Sequence, residues 1–478
     1  MAQAILAQAR RHSGAARVGL CGPHHAASGL AARQLPRGRL STAGTMALPA
    51  VGGPFVWAFV AFTTFMHVLE EYLEVRQLRK NRETRVPVEL QSSVDEAKFL
   101  ESQAYQKDKR LFGFVRDTIV FLWDKVGLFI IMPGAWHLSV SIFGPEAEYK
   151  TTLCWLFLQQ WADKPINIPL SLYSNFVIEE RHGFNKMTVK LFFMDLMKTE
   201  LLTYFFGGLL IPLLIWIVRY FGDRFYLYLW VVCQALMLAA MWVYPNVIQP
   251  LFNKFEALKD EDLKQKIEDL AGEVKFPLTK LFQVDGSKRS GHSNAYFFGF
   301  WKYKRIVLYD TLLHLKQEDI LAILCHELGH WKFGHTTVNL CISSAHIFIL
   351  FWLYGTVMYS GEMSREIVRQ FGFGDTEAVM VSLMIFMMLF NPTEQVVSLL
   401  MTLLSRTFEF QADSFAATMG RAAPLCSGLF QIHEENKGDL NPDPWYSWYH
   451  FSHPPLIERL RALKALEATK EADVKKDK

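Results

Sequence analysis

A mainly α-helical integral-membrane fold, with crossing helices around a wet interior and a polar segment that carries a metal-binding motif, is the class this sequence predicts. Three observations predict it. The 478-residue chain is 51% apolar and 14% aromatic but only 20% charged, which is oily for a soluble protein. Apolar runs approaching about 20 residues, the length that crosses a bilayer, recur along it. The polar region between two of those runs contains His326-Glu327-Leu328-Gly329-His330. The net charge of +3 gives no reason to expect nucleic acid as a partner.

Residues 1–45 hold Arg10, Arg11, Arg17, Arg33, Arg37 and Arg39 and no acidic residue. That composition resembles an organelle transit peptide, and a start at Met46 fits equally well, so this leader is set apart from the fold. The clearest apolar spans are 47–69, 205–220, 225–244, 338–359 and 378–404. Weaker ones are 118–143 and 151–177, and 191–204 leads into the span at 205. Seven crossings result. Asp124, Lys125, Asp163, Lys164, Asp195, Lys198, Glu200 and Glu394 lie in or beside these runs. Ionisable groups at membrane depth face a protein interior or water, hence the wet interior. Pro165, Pro169, Pro212, Pro245 and Pro392 are expected to kink or break the helices.

Basic residues follow the first span (Arg76, Arg79, Lys80, Arg82, Arg85) and the third (Arg181, Lys186, Lys190). The positive-inside rule makes both connections cytosolic and the N-terminus luminal. An odd number of spans then puts the C-terminus and the polar segment 251–336 in the cytosol. The domain reading is a leader at 1–45, five spans in 46–250, the motif segment 251–336, two spans in 337–404, and a second polar part at 405–478. Six cysteines lack CxxC spacing and read as buried free thiols.

Glu318 and Asp319 followed by an apolar run up to Cys325 predict a buried helix entering the motif. On that helix His326 and His330 share a face, where both imidazoles can reach one Zn²⁺ at about 2.0–2.1 Å. Glu327 stands at the edge of the face, placed to take a proton from the attacking water. A catalytic zinc usually takes a third protein ligand. Glu409 is the best candidate, because the stretch 405–413 reads as helix and Glu409 and Asp413 stand four residues apart on one face. Glu409 then serves as ligand and Asp413 as the acceptor that orients a ligand imidazole. Lys332 and His335 follow the motif within five residues, so it does not lie in a long apolar span.

Taken with this motif, the segment Phe408-Glu409-Phe410-Gln411-Ala412-Asp413, the segment 286–299 (GSKRSGHSNAYFFG), the segment 178–185 (IEERHGFN) and the tail Ser452-His453-Pro454-Pro455-Leu456-Ile457-Glu458-Arg459 make the chain resemble the type I CAAX prenyl proteases, zinc endopeptidases of the endoplasmic reticulum. The resemblance covers roughly residues 47–466. It implies seven long helices enclosing a water-filled chamber, with one zinc ion at the cytosolic end. The implied reaction removes the last three residues of a prenylated Cys-a-a-X terminus by metal-activated water attack. The implied partners are prenylated CAAX peptides or proteins and membrane lipid. The implied roles are His326, His330 and Glu409 as zinc ligands, Glu327 as general base, Asn294 and Ala295 as holders of the substrate backbone, and His453 as stabiliser of the tetrahedral intermediate.

The residues agree where they can be read. Tyr296, Phe297, Phe298, Ile306 and Val307 favour strand, and Lys302-Tyr303-Lys304-Arg305 reads as the hairpin turn between two strands. An exposed strand edge binds an extended peptide through its main chain. His453 precedes Pro454-Pro455 and so lies in an extended or turn segment. Arg459 can grip a substrate carboxylate bidentately, or pair with a structural acid. The Lys475-Lys476-Asp477-Lys478 end resembles a dilysine retrieval signal. Two other readings compete: a membrane quality-control zinc protease, and a transporter suggested by kinked, charge-bearing spans.

Overall fold

A computed structural model describes residues 50–91, 94–300, 303–359 and 361–476. The leader read over 1–45 and the last two residues of the lysine-rich tail lie outside the described residues.

The chain is mainly helical. Helix α1 (Pro54–Lys80) starts with proline in its first turn, where no N–H is needed. Helix α2 (Glu96–Val126) is capped by Asp95, whose carboxylate accepts from Ala97 N. It passes through a π turn at Gly127–Ile131 into α3 (Met132–Phe143). Next come α4 (Glu148–Tyr173), α5 (Val189–Phe221) and α6 (Phe225–Val243). A short strand β1 (Phe255–Ala257) leads to the amphipathic helix α7 (Glu261–Glu273). Strands β2 (Leu278–Val284), β3 (Ala295–Phe300) and β4 (Tyr303–Tyr309) follow. Helix α8 (Gln317–Lys332) carries the motif, and α9 (His335–Val357) begins three residues after it ends. The chain closes with α10 (Glu362–Gln370), α11 (Val379–Thr418), α12 (Ala422–Glu435), α13 (Pro444–His450) and α14 (Leu456–Lys476).

Among the described residues, four stretches are long and apolar enough to cross a membrane by length and composition: Glu96–Phe143, Val189–Phe252, His335–Val357 and Val379–Thr418. The second has 64 residues, roughly 96 Å if straight, and folds back at Gly222. Gly222 has φ +52°, a conformation glycine adopts without strain, and it separates α5 from α6.

Several expectations change here. Pro165 and Pro169 lie inside α4, Pro212 inside α5 and Pro392 inside α11, so none of them ends its helix. Helix α4 runs on from Pro169 into a π turn at Ser174–Glu179, and Pro245 sits within another at Tyr244–Ile248. Arg76, Arg79 and Lys80 belong to the last turns of α1 and not to a loop. Cys341 is exposed, against the expected burial, and Cys325 is buried as a free thiol. The hairpin turn is shorter than the sequence suggested. Tyr303, Lys304 and Arg305 are already in β4, paired with Phe300, Gly299 and Phe298.

Ionisable groups among the helices mostly find partners. Lys164 pairs with Glu200, which also accepts from Gln160 at 2.6 Å. His346 meets Glu394 at 2.9 Å, and Trp123 donates to Asp163 at 3.0 Å. Asp195 takes Arg289 from outside the bundle at 2.8 Å. A cavity of about 600 Å³ between α1 and α11 is lined by Glu70, Asn391, Glu394, Ser398 and Thr402. The interior is therefore polar along one seam.

The sheet order is β1-β2-β4-β3, with β2 and β4 parallel and the outer pairs antiparallel. This leaves β3 at an edge. One apolar core joins α7, the sheet, α8, α12 and α14; a second joins the bundle helices. Helix α11 belongs to both, contributing Val379–Val381 to the bundle core and Ala416 and Ala417 to the other. The sequence-based divisions at 336/337 and 404/405 thus fall inside α9 and α11.

Arg110 ties the bundle to the segment before α13. Its guanidinium reaches Asn81 (2.8 Å), Glu74 (2.7 Å) and Asp439 (2.5 Å) and is 9% exposed. Replacing it by methionine leaves two carboxylates facing each other without a cation, a loss of about 3–5 kcal/mol. We expect Arg110→Met to lower the thermal midpoint of the detergent-purified protein by several degrees; an unchanged midpoint would show that this cluster does not hold the halves together.

Candidate metal centre

The centre forms where α8 crosses α11. Glycine makes the crossing this close: a Cβ on Gly329 would stand a tight 3.1 Å from the Ala412 Cα and 3.2 Å from the Phe415 Cβ. Further support comes from α12, where Gly428 lets Ile323 approach closely. With the backbones this near, side chains from both helices meet. His326 Nε2 lies 3.2 Å from His330 Nε2. Glu409 Oε2 lies 3.4 Å from His326 Nε2, and its Oε1 lies 3.3 Å from His330 Nε2. Among the described residues these three form the group able to hold a metal ion.

The triangle has the size of a metal site. Ligand bonds of about 2.0–2.1 Å in a tetrahedron put neighbouring donors about 3.3–3.4 Å apart. With a cation at the centre each Nε2 can offer it a lone pair, since the other nitrogen of each ring is engaged elsewhere. His326 Nδ1 faces Asp413 Oδ1 at 2.8 Å, as the sequence suggested. Glu409 is 4% exposed, and its Oε2 has no hydrogen-bond donor. Lone pairs and a buried carboxylate converging this closely repel unless a cation sits among them. Burial pushes the His326 imidazole down, but Asp413 and Glu409 reverse this and carry it up to about 9. The same negative field favours a divalent cation.

Glu327 projects from α8 half-buried, with no hydrogen bond or ion pair among the described residues. A carboxylate left uncommitted beside the ligands is free to handle protons. His453 is 60% exposed yet its Nε2 comes within 3.3 Å of Glu409 Oε1, so it stands at the open side of the centre. It lies in the irregular segment before Pro454, as expected.

Arg459 takes the structural of its two alternatives. It is 5% exposed and grips Asp413 with Nε at 2.8 Å and a terminal nitrogen at 2.6 Å, while another terminal nitrogen lies 3.4 Å from Glu409. Both prongs of the fork are occupied, so it is not presented to a substrate carboxylate. Its charge compensates the two buried acids, and burial, which opposes ionisation, is outweighed by Asp413 so that Arg459 stays firmly protonated.

Asn294 is exposed at the start of the edge strand. Its carbonyl accepts from Tyr309 N at 3.0 Å, so in antiparallel pairing the main chains of Ala295 and Phe297 turn outward. The Ala295 N–H is engaged by the Asn294 side-chain oxygen at 2.8 Å. Behind this strand the two segments 178–185 and 286–299 lie together. Gly291 N donates to Phe184 O at 3.1 Å, and the His292 ring stacks on Phe184 at 4.1 Å. Tyr105 donates to Glu179 at 2.9 Å, and His292 Nδ1 meets Asn436 Oδ1 at 3.2 Å.

Sequence reasoning missed His335 and Gln411. His335 Nδ1 lies 3.0 Å from His330 Nδ1, and His335 Nε2 lies 2.8 Å from Gln411 Oε1. The one available signal was a histidine directly after Gly334, which has φ +69° and turns the chain back under the motif.

Comparison with known proteins settles the family. The family model described as "Peptidase family M48" matches residues 257–467, and "CAAX prenyl protease N-terminal, five membrane helices" matches 75–254. This chain belongs to the CAAX prenyl proteases of peptidase family M48. Similar members of that family include the CAAX prenyl protease 1 homolog of Arabidopsis thaliana, 44% identical over 86% of this chain and 97% of its own length. The Homo sapiens homolog is 37% identical, covering 86% of this chain and 95% of its own. Among solved structures, the crystal structure of S. mikatae Ste24p superposes with a TM-score of 0.80 at 36% identity, over 86% of this chain and 99% of that one. M48 membership implies a metal, and His326, His330 and Glu409 offer a group that could hold it.

The helix crossing gives a test. An added methyl at Gly329 must push α11 away by a few tenths of an ångström or strain both helices, costing about 1–3 kcal/mol. We expect Gly329→Ala to weaken zinc binding, measured by chelator competition, because Glu409 rides on the displaced helix. Wild-type affinity would mean that the crossing is looser than the contacts indicate.

Proposed function

We propose that this chain is a zinc-dependent endopeptidase that removes the last three residues from prenylated Cys-a-a-X termini. The observation that carries this is the donor triangle of His326, His330 and Glu409, sized for zinc, next to the uncommitted Glu327 in a chain whose relatives are named CAAX prenyl protease 1. His326, His330 and Glu409 would hold zinc, which when bound would supply a Lewis acid to polarise the scissile carbonyl and acidify water.

Glu327 takes the proton of the attacking water and returns it to the leaving amine as the C–N bond breaks. His453, on the open side, donates to the developing oxyanion, a contribution of about 3 kcal/mol. The outward main chain of β3 pairs with the extended substrate, and Asn294 gives up its bond to Ala295 N in exchange for the substrate backbone. Asp413, anchored by Arg459, keeps the His326 Nε2 lone pair aimed at the metal. Seven crossings enclose a water-filled chamber, with the basic connections and the zinc centre on the cytosolic side. The membrane is that of the endoplasmic reticulum, as the family resemblance implies.

The deciding assay is mass spectrometry on a farnesylated Cys-a-a-X peptide, with and without a chelator. Loss of a three-residue fragment that stops with chelation and returns with zinc supports the proposal; cleavage confined to unprenylated, misfolded proteins points to a quality-control protease instead. We expect Glu327→Gln to keep zinc while cleavage falls by about 10²–10⁴-fold. Near wild-type turnover in that variant would remove Glu327 from the base role. Glu409→Ala should lose zinc affinity by more than the roughly 10–100-fold that outer partners of a ligand contribute, and full occupancy would point to a different third ligand.

A further inference from the structure

His326 and His330 are oriented in different ways. His326 has the carboxylate partner common to zinc-bound imidazoles. His330 has a neutral ring, His335, which faces a neutral amide, Gln411. We infer that His335 and Gln411 are positioning residues that fix His330 as a neutral, metal-facing ligand through a chain of two directed hydrogen bonds. The inference rests on the zinc centre proposed above.

The direction of the chain follows from the donors available. For His330 Nε2 to offer a lone pair, its proton must reside on Nδ1. That N–H points at His335 Nδ1, 3.0 Å away, which must then be bare and accept. His335 therefore carries its own proton on Nε2 and donates to the Gln411 oxygen at 2.8 Å. Each bond dictates the tautomer of the next. Were the Gln411 acceptor lost, His335 could take the other tautomer, and two N–H groups would oppose each other at the His330 contact.

The fold holds this arrangement rigidly. Gly334, with φ +69°, lets α9 begin immediately below the motif helix and places His335 under His330. The His335 ring is 4% exposed and stacks on Phe408 at 4.0 Å with 8° between planes. Phe408, Glu409 and Gln411 all come from α11, so one helix supplies a ligand, the plate that fixes the His335 plane and the final acceptor. Gln411 itself is exposed, so the chain runs from the buried centre to the surface. A neutral relay aims His330 without placing another anion beside the metal. It thereby preserves the positive character that activates carbonyl and water.

The test is zinc affinity of the purified full chain by chelator competition, with the visible spectrum of the Co²⁺-loaded protein as a second readout. We expect His335→Leu and Gln411→Leu each to weaken zinc by about 10–100-fold and to alter the Co²⁺ spectrum. His335→Asn, whose amide oxygen takes the place of the Nδ1 acceptor, should recover most of the affinity. Wild-type affinity in either leucine variant, or an asparagine variant no better than leucine, overturns the inference. If His335→Leu does not fold, Gln411→Leu decides alone, since its site is on the surface. Failure of the wild-type chain to bind zinc would instead overturn the proposed function.

Discussion

The whole centre depends on how closely α8 and α11 pass each other. Two imidazoles on one helix can be brought together by i, i+4 spacing alone, but the third donor must come from elsewhere, and it comes from a helix whose backbone touches Gly329. That approach buries Glu409 and Asp413 together, a costly pairing of like charges in a low-dielectric place. Arg459 from α14 offsets it, and α12 presses on the far side of α8 through Gly428. The elements after α11 are in this sense a brace: they supply the cation and the packing that let two acids remain ionised beside two histidines.

What the sequence could show was whatever depended on local spacing. The motif helix, the shared face of Glu409 and Asp413, the irregular setting of His453 and the edge-forming strand near Asn294 all follow from short-range periodicity or turn chemistry. What it could not show were pairings set by tertiary contact. Arg459 reads as gripping a substrate carboxylate or pairing with Glu458 or another structural acid, because nothing in its own segment points to Asp413, 46 residues away. His335 carries only a weak mark, its place directly after Gly334, and nothing in its own segment points to His330 or Gln411. Lys304 and Arg305 looked like a turn by composition, but backbone pairing with Gly299 and Phe298 draws them into β4. Pro165, Pro169, Pro212 and Pro392 do not break their helices, because propensity describes an isolated helix and these are held by packing.

In the helical half, charges that made the weaker spans look doubtful turn out to be paired across helices: Lys164 with Glu200, His346 with Glu394. Such pairs keep polar groups at apolar depth without leaving them bare. They also account for a bundle whose helices are less oily than those of a tight transmembrane core, since the seam between α1 and α11 is polar.

The membership of α11 in two cores has a further consequence. Its first turns are packed among bundle helices and its last turns among the elements around the sheet. The residues that complete the hydrolytic half also arrive in two instalments, on either side of α9 and α11. One continuous helix therefore carries strain between the two cores, so that a disturbance at the bundle end of α11 is passed along its axis to the turns that hold Glu409 and Asp413.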